Sequence, residues 1–294
     1  MTNSGNSDMR KMTSRQDWLN NSLLAPMYIF TIVFVFLPII YMVYISFMTR
    51  AEVWGFDLHF TLDNYKRILE PMYLQTFWRS LKLALTSTVL VIVIGYPFGY
   101  FMARLNKRWK RRMMILMMIP FWTSSLVRLN GWVIVFQANG VLDKVLMGLG
   151  ITQEPLKLLY SYPAVLFGMV YALCPFMILS VYSNVEKMDW TLLEAAQDLG
   201  ATSKRAFWDI TFQMTIPGLL SGVVLTFIPS MGLFFIADIL GGSKVVLIGN
   251  IIQEQMTKGR NLPFAAALAV VLFVMTSLMI ALYKKIAKTE GVIS

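Results

Sequence analysis

Thr191-Leu192-Leu193-Glu194-Ala195-Ala196-Gln197-Asp198-Leu199-Gly200 interrupts a succession of long apolar runs. Thr191 and Glu194 have the S/T-x-x-E spacing of a capping box, which predicts a helix starting at Thr191. Gly200 stands where a C′ glycine ends such a helix. Thr202 or Ser203 can cap a second short helix running through Lys204, Arg205, Phe207 and Trp208. Leu192, Ala195, Ala196 and Leu199 recur three or four apart and so share one face. The small alanines on that face admit close approach by another surface. A polar helical insert between apolar runs must dock on something soluble.

The runs on either side define the fold class. The chain is 57% hydrophobic over 294 residues. Six stretches approach the ~20 residues that cross about 30 Å of hydrocarbon: 27–48, 81–102, 113–136, 164–183, 216–237 and 264–283. The expectation is an all-α integral membrane protein with six transmembrane helices. Residues 1–25 form an N-terminal tail, 26–286 the membrane domain and 287–294 a C-terminal tail, with the insert occupying about 188–213. The polar tail Met1–Asn21 is long, and the run Met27–Met48 has no clear cleavage site. It reads as an uncleaved first span rather than a signal peptide, and the tail's composition reads as disorder.

Lys and Arg set the orientation. Arg10, Lys11 and Arg15 precede span one, and Arg104, Lys107, Arg108, Lys110, Arg111 and Arg112 lie between spans two and three. Lys187, Lys204 and Arg205 flank the insert, and Lys284, Lys285 and Lys288 follow span six. These are more than half of the 26 basic residues. Glu52, Asp57, Asp63, Glu70, Asp143 and Glu154 fall in the opposite segments. Both termini and the Glu194 loop are therefore expected on the cytoplasmic side. The net charge of +10 gives no reason to invoke nucleic acid, because the cations sit at span ends, where anionic lipid heads attract them.

Several function classes fall away. One cysteine, Cys174, and one histidine, His59, leave no disulfide and no Cys- or His-based metal site. No G-x-x-x-x-G-K-[ST] loop is present, so ATP hydrolysis would belong to another polypeptide. Pro38, Pro97, Pro120, Pro175 and Pro229 lie inside spans. Membrane helices tolerate proline where neighbours or a water-lined cavity satisfy the freed carbonyls. The set favours a bundle with an internal pathway over simple anchors.

The insert resembles the EAA loop of ABC-importer permeases, whose pattern is Glu-Ala-Ala, three residues, Gly, nine residues and Ile-x-Leu-Pro. Glu194, Ala195, Ala196, Gly200 and Ile210 fit; Phe212 and Gln213 depart from it. From about Leu24 to Lys285 the chain is similar to the spermidine/putrescine branch of this MetI-like superfamily. The resemblance is carried by Phe60–Tyr65, Gly95–Phe98, Pro120–Arg128, Met231–Asp238 and Leu247–Asn250. It implies the type I importer-permease architecture and a multi-pass place in the bacterial inner membrane. The implied partners are a second homologous permease, a cytoplasmic ATPase dimer carrying ATP and Mg, and an extracytoplasmic polyamine-binding protein. This chain itself would bind no cofactor. The insert, through Glu194, Ala195, Ala196, Leu199 and Gly200, would couple the ATPase to the spans.

A polyamine is a methylene chain bearing ammonium groups, so its path should offer carboxylates and aromatic faces. Asp238, near the outer end of span five, is the leading carboxylate, because charge near hydrocarbon is costly. It reads equally as a solvated helix-end group or as a partner of Arg128. Trp122 and Phe121 beside Pro120, Phe234 and Phe235 on span five, and Tyr171 with Tyr182 on span four are the aromatic candidates. Arg128 sits in span three, where an arginine costs about 2.5–3.5 kcal/mol. It is expected to be neutralised by Asp238 or Glu254 and, with Pro120, to act structurally or in gating. Thr123, Ser124 and Ser125 open span three to a polar region. An ABC permease for another small solute, such as an amino-acid derivative, thiamine or ferric ion, is the second reading. An ion-coupled secondary transporter is the third, and it leaves the EAA spacing without a purpose.

Overall fold

The structure is a computed structural model that describes residues 24–53 and 55–289; the expectations for Met1–Asn21 fall outside them. Five continuous helices are long and apolar enough to cross a membrane: α1 (Leu24–Ser46), α3 (Pro71–Arg104), α7 (Tyr162–Val185), α9 (Ser203–Gly232) and α12 (Leu262–Thr289). Between α1 and α3 lie strands β1 (Met48–Arg50) and β2 (Phe56–Phe60) and helix α2 (Asp63–Ile68). The remaining helices are α4 (Lys107–Trp122), α5 (Ser125–Phe136), α6 (Val141–Gly148), α8 (Thr191–Asp198), α10 (Phe234–Lys244) and α11 (Ile248–Thr257).

The third expected span is not one straight helix. α4 and the α5–α6 segment meet at 94° around Thr123. Pro120 begins the cause: it lies in a 3-10 turn, Ile119–Trp122, and offers no amide hydrogen to extend an α-helix. Span five also stops earlier than expected. α9 ends at Gly232, and α10 and α11 form a pair bent by 89°. α11 has 10 residues, a rise of about 15 Å, half of the hydrocarbon thickness. The α10–α11 pair therefore reads as a re-entrant element rather than a crossing. With α4–α5 as one bent crossing, the count is six.

At its other end, α9 is longer than expected. The second short helix, Ser203–Ala206, runs through a π-helical stretch, Phe207–Phe212, into the span without a loop. Gln213 lies within this continuous helix, and its backbone N–H donates to Ile210 O.

The all-α expectation also missed one feature. β1 and β2 pair antiparallel with a bulge at Met48/Thr49. Phe47 stacks on Phe60 with ring centroids 5.5 Å apart, and the Asn64 amide donates to the carbonyls of Ser46 and Met48 at 3.0 and 2.9 Å.

The centre of the bundle is α7, half of whose apolar window is buried, against 11% for α1. α3 and α9 clasp it through glycines. A Cβ on Gly95 would meet Met177 at 2.7 Å, and one on Gly99 would meet the Ile178 carbonyl at 2.8 Å. From α9, a Cβ on Gly218 would overlap Asn184, and one on Gly222 would meet Met177 at 2.5 Å. Each pair is spaced by four, the small-xxx-small arrangement that lets membrane helices approach closely. Polar bonds reinforce the contact: Ser180 donates to the Gly218 carbonyl at 2.8 Å, and the Tyr96 and Thr215 hydroxyls bond at 2.8 Å. Replacing Gly99 by Ala should therefore overpack the core, at a cost of about 1–3 kcal/mol. Gly131, whose Cβ direction is open, should accept Ala without loss. Thermal denaturation of the two variants in detergent checks this; equal midpoints would refute the packing account.

Candidate functional site

The insert is built as a rigid helix with an uncovered face. α8 starts at Thr191, but the capping box does not form. Asp189 Oδ1 accepts from the Thr191 N–H at 3.0 Å and from its hydroxyl at 2.8 Å. Thr191 thus spends its hydroxyl as a donor, because a carboxylate is the stronger acceptor. These two bonds hold the Asp189 carboxyl below its ordinary pKa range, the hydroxyl contributing most. The far end closes as a Schellman motif. Gly200 N–H donates to Gln197 O at 2.9 Å and Ala201 N–H to Ala196 O at 3.0 Å. Gly200 has φ +88° with open space around its Cβ direction, so dihedral angle, not crowding, requires glycine here. Thr202 then accepts from the Arg205 N–H. No residue of α8 is buried, and Leu199 is 90% exposed.

The joint behind α8 is aromatic. Arg104, at the end of α3, lies over Tyr100 and Trp190 at 5.7 and 5.4 Å. Tyr100 meets Phe207 edge-on at 5.7 Å. Lys110 pairs with Glu186 at 3.3 Å, tying the start of α4 to the end of α7. The Glu186 carboxyl is held below its usual range by Tyr182 first and Lys110 second.

Deeper in the bundle, the two helix breaks face one cavity of about 320 Å³, lined by Phe121, Arg128, Tyr171, Phe176 and Phe235, with Leu233 and Pro229 from the second break. The structure thus brings together four of the proposed path and gating residues: Phe121, Tyr171, Phe235 and Arg128. It does not bring the others. Trp122, one residue beyond Phe121 on a tight turn, points away and is 80% exposed. Phe234 packs on Gly249 of α11. Pro120 contributes its carbonyl rather than its ring, accepting from Arg128 and from the Thr123 hydroxyl.

Arg128 is not neutralised by Asp238 or Glu254: among the described residues neither forms an ion pair with it. Asp238 lies in α10, beyond the end of α9 at Gly232. Asp238 instead accepts from the Asn250 amide, which also donates to Phe234 O at 3.1 Å. Asp238 and Glu254 line a separate polar cleft of about 450 Å³ with Asn250, Gln253, Thr257 and Lys258. Sequence reasoning missed Asp189, Phe176 and Asn250. Only Asp189 had a local signal, its Asp-x-Thr spacing.

A bundle of this kind, with a rigid uncovered helix between its fourth and fifth spans and a cavity at two broken helices, defines a multi-pass membrane permease. The chain belongs to the family of binding-protein-dependent transport system inner membrane components, whose family model matches residues 95–289. It is an inner-membrane protein. It is 40% identical over 252 residues to the spermidine/putrescine transport system permease protein PotB of Escherichia coli (strain K12), covering 86% of this chain and 92% of that one. To the Haemophilus influenzae protein of the same name it is 37% identical over 265 residues, covering 90% and 93%. Among solved structures, a bacterial ABC transporter involved in the import of the acidic polysaccharide alginate matches with a TM-score of 0.69 at 17% identity, covering 96% of this chain and 99% of that chain. The MetNI methionine ABC transporter matches with a TM-score of 0.57 at 20% identity, covering 75% and 98%. At these identities the structural likeness speaks for the fold alone.

The Asp189 cap makes α8 acid-sensitive with a definite sign. A lowered carboxyl pKa means that the contribution is complete above the ordinary carboxylate range and is lost as pH falls through the lowered value. Hydrogen exchange of residues 188–200 should be unchanged by capping from neutral pH down to about 5. At neutral pH, Asp189→Ala should exchange faster than wild type over the first turn of α8. Unchanged protection in that variant would show that another group caps the helix.

Proposed function

We propose that this chain is one of two permease subunits of an ATP-driven importer for polyamines. The observation that carries the coupling role is α8. The helix is fixed at both ends by its caps, it lies at the position of the EAA pattern, and its Leu192 and Leu199 are exposed. It is suited to seat in a groove of a cytoplasmic ATPase dimer, which would bind ATP and Mg. Motion would pass from α8 through the Arg104–Tyr100–Trp190 joint to α3 and α7. Both termini and the α8 loop then face the cytoplasm, in line with their Lys and Arg.

Substrate class rests on the PotB relatives and on chemistry. The cleft with Asp238 and Glu254 would collect an ammonium delivered by an extracytoplasmic binding protein. The rings of Phe121, Tyr171 and Phe235 would pass it on, each attracting a cation by about 0.5–2 kcal/mol while packing on methylenes. Transport by alternating access needs such weak, serial contacts, because the cargo must leave. A different small solute is the second reading, favoured by one observation: among the described residues, Arg128 is the sole charged group lining the inner cavity.

Proteoliposomes holding this chain with its second permease, ATPase and binding protein test the reading. Labelled spermidine should enter with ATP, blocked by excess putrescine and not by an unrelated amino acid. ATP hydrolysis stimulated by the binding protein without spermidine uptake would discard the polyamine assignment and keep the permease. In the same vesicles Gly200→Val should assemble but lose about tenfold in coupled uptake, since a β-branched residue at positive φ costs roughly 1–2 kcal/mol. Normal coupling in that variant would refute the role of α8. Asp238→Asn should raise the KM for spermidine and leave the Asn250 contact in place; an unaltered KM would remove Asp238 from the path.

A further inference from the structure

Arg128 lies in the inner cavity with no carboxylate partner among the described residues. Its guanidinium donates to the Pro120 carbonyl and, at 3.0 Å, to the Ser125 hydroxyl. Its central carbon stands 5.6 Å from the Phe121 ring centre and 5.9 Å from that of Tyr171. Nε is buried without a hydrogen-bond partner. Every group that holds this charge is a neutral one: two ring faces, a carbonyl and a hydroxyl. Those are also the groups that hold an alkylammonium.

We infer that Arg128 is a resident cation occupying the Phe121–Tyr171 cation site, and that a cationic substrate enters only by exchanging with it. The inference deepens the polyamine reading and rests on it for the identity of the incoming cation. Two like charges repel when they share two rings and one carbonyl. In this conformation the site is therefore closed to substrate by charge rather than by bulk. Two of the cation's anchors sit at the 94° break between α4 and α5. A change of angle at Thr123 would draw the guanidinium off the Pro120 carbonyl, so the bend and the release of the site are linked. An unpaired cation in the path thereby becomes compatible with cationic cargo. It prevents occupancy until the helices rearrange.

The test measures binding of labelled putrescine to the purified complete assembly without ATP or binding protein. Wild type should bind weakly. Arg128→Gln, which removes the charge and keeps an amide donor for Pro120, should bind roughly tenfold tighter. Arg128→Lys should stay weak, because the charge remains, whereas a merely structural guanidinium clamp would be damaged by Lys and Gln alike. Phe121→Leu added to Arg128→Gln should return binding to the wild-type level. If Arg128→Gln does not assemble, Arg128→Met, which removes the charge and keeps an unbranched stem, should give the same gain. No gain in an assembled Arg128→Gln, or in Arg128→Met where that variant is the one available, overturns the inference. Failure of the polyamine reading is seen separately, as absence of spermidine uptake by the wild-type assembly.

Discussion

The structure depends on how closely α3 and α9 approach the two sides of α7. In a bilayer, lipid tails are as apolar as leucine, so helices gain little from hiding apolar side chains from one another. Contact distance then matters more, and distance is set by what stands between the backbones. Gly95 and Gly99 on one side and Gly218 and Gly222 on the other leave room for Met177, Ile178, Ser180, Val181 and Asn184 of α7. The Ser180 bond to the Gly218 carbonyl forms only at that range. The other helices are arranged around this three-helix unit, and α1 rests on α12 with most of its surface uncovered.

Against that close-packed unit stand the two broken helices. Their breaks differ in origin. At Thr123 the cause is chemical, a proline turn whose carbonyl is satisfied by Thr123 and Arg128. At Leu233 the helix stops after Gly232, and α10 is tied instead to α11 through Asn250. Ser80 of α3 caps α11 in turn, accepting from the Ile248 N–H at 2.9 Å. A charged residue persists in the cavity between the breaks because neutral dipoles and ring faces replace its water. The same fold serves an importer of an acidic polysaccharide, so the architecture does not dictate the sign of the cargo's charge.

The α8 helix shows the complementary solution. A soluble docking surface must be stiff without being buried, or nothing is left to dock. Asp189 and Gly200 supply the stiffness from the two ends, where hydrogen bonds cost no apolar surface. Leu192 and Leu199 remain exposed. The positive φ of Gly200 and the continuous helix through Gln213 fix how the chain passes from α8 into α9.

Much of this was legible in the residues. The apolar spans, the short helix from Thr191 to Gly200 and the interruption at Pro120 follow from length, hydropathy, turn chemistry and proline position. These are local properties, set by hydrogen-bond satisfaction within a few residues. That Tyr171 joins Phe121 beside Arg128 does not follow from them. The glycine pairs that clasp α7 were also written in the sequence, but small-xxx-small spacing acquires meaning only when the opposing helix is known. The partner of Asp238 was not legible. Arg128 and Asp238 looked like a pair because opposite charges near hydrocarbon should meet. Tertiary structure decided otherwise: the chain turns at Leu233, twelve residues of chain return Asn250 to Asp238, and ring faces and a carbonyl reach Arg128 first. Charge pairing is settled by which groups the backbone brings within about 4 Å, and no pattern of residues along the chain records that distance.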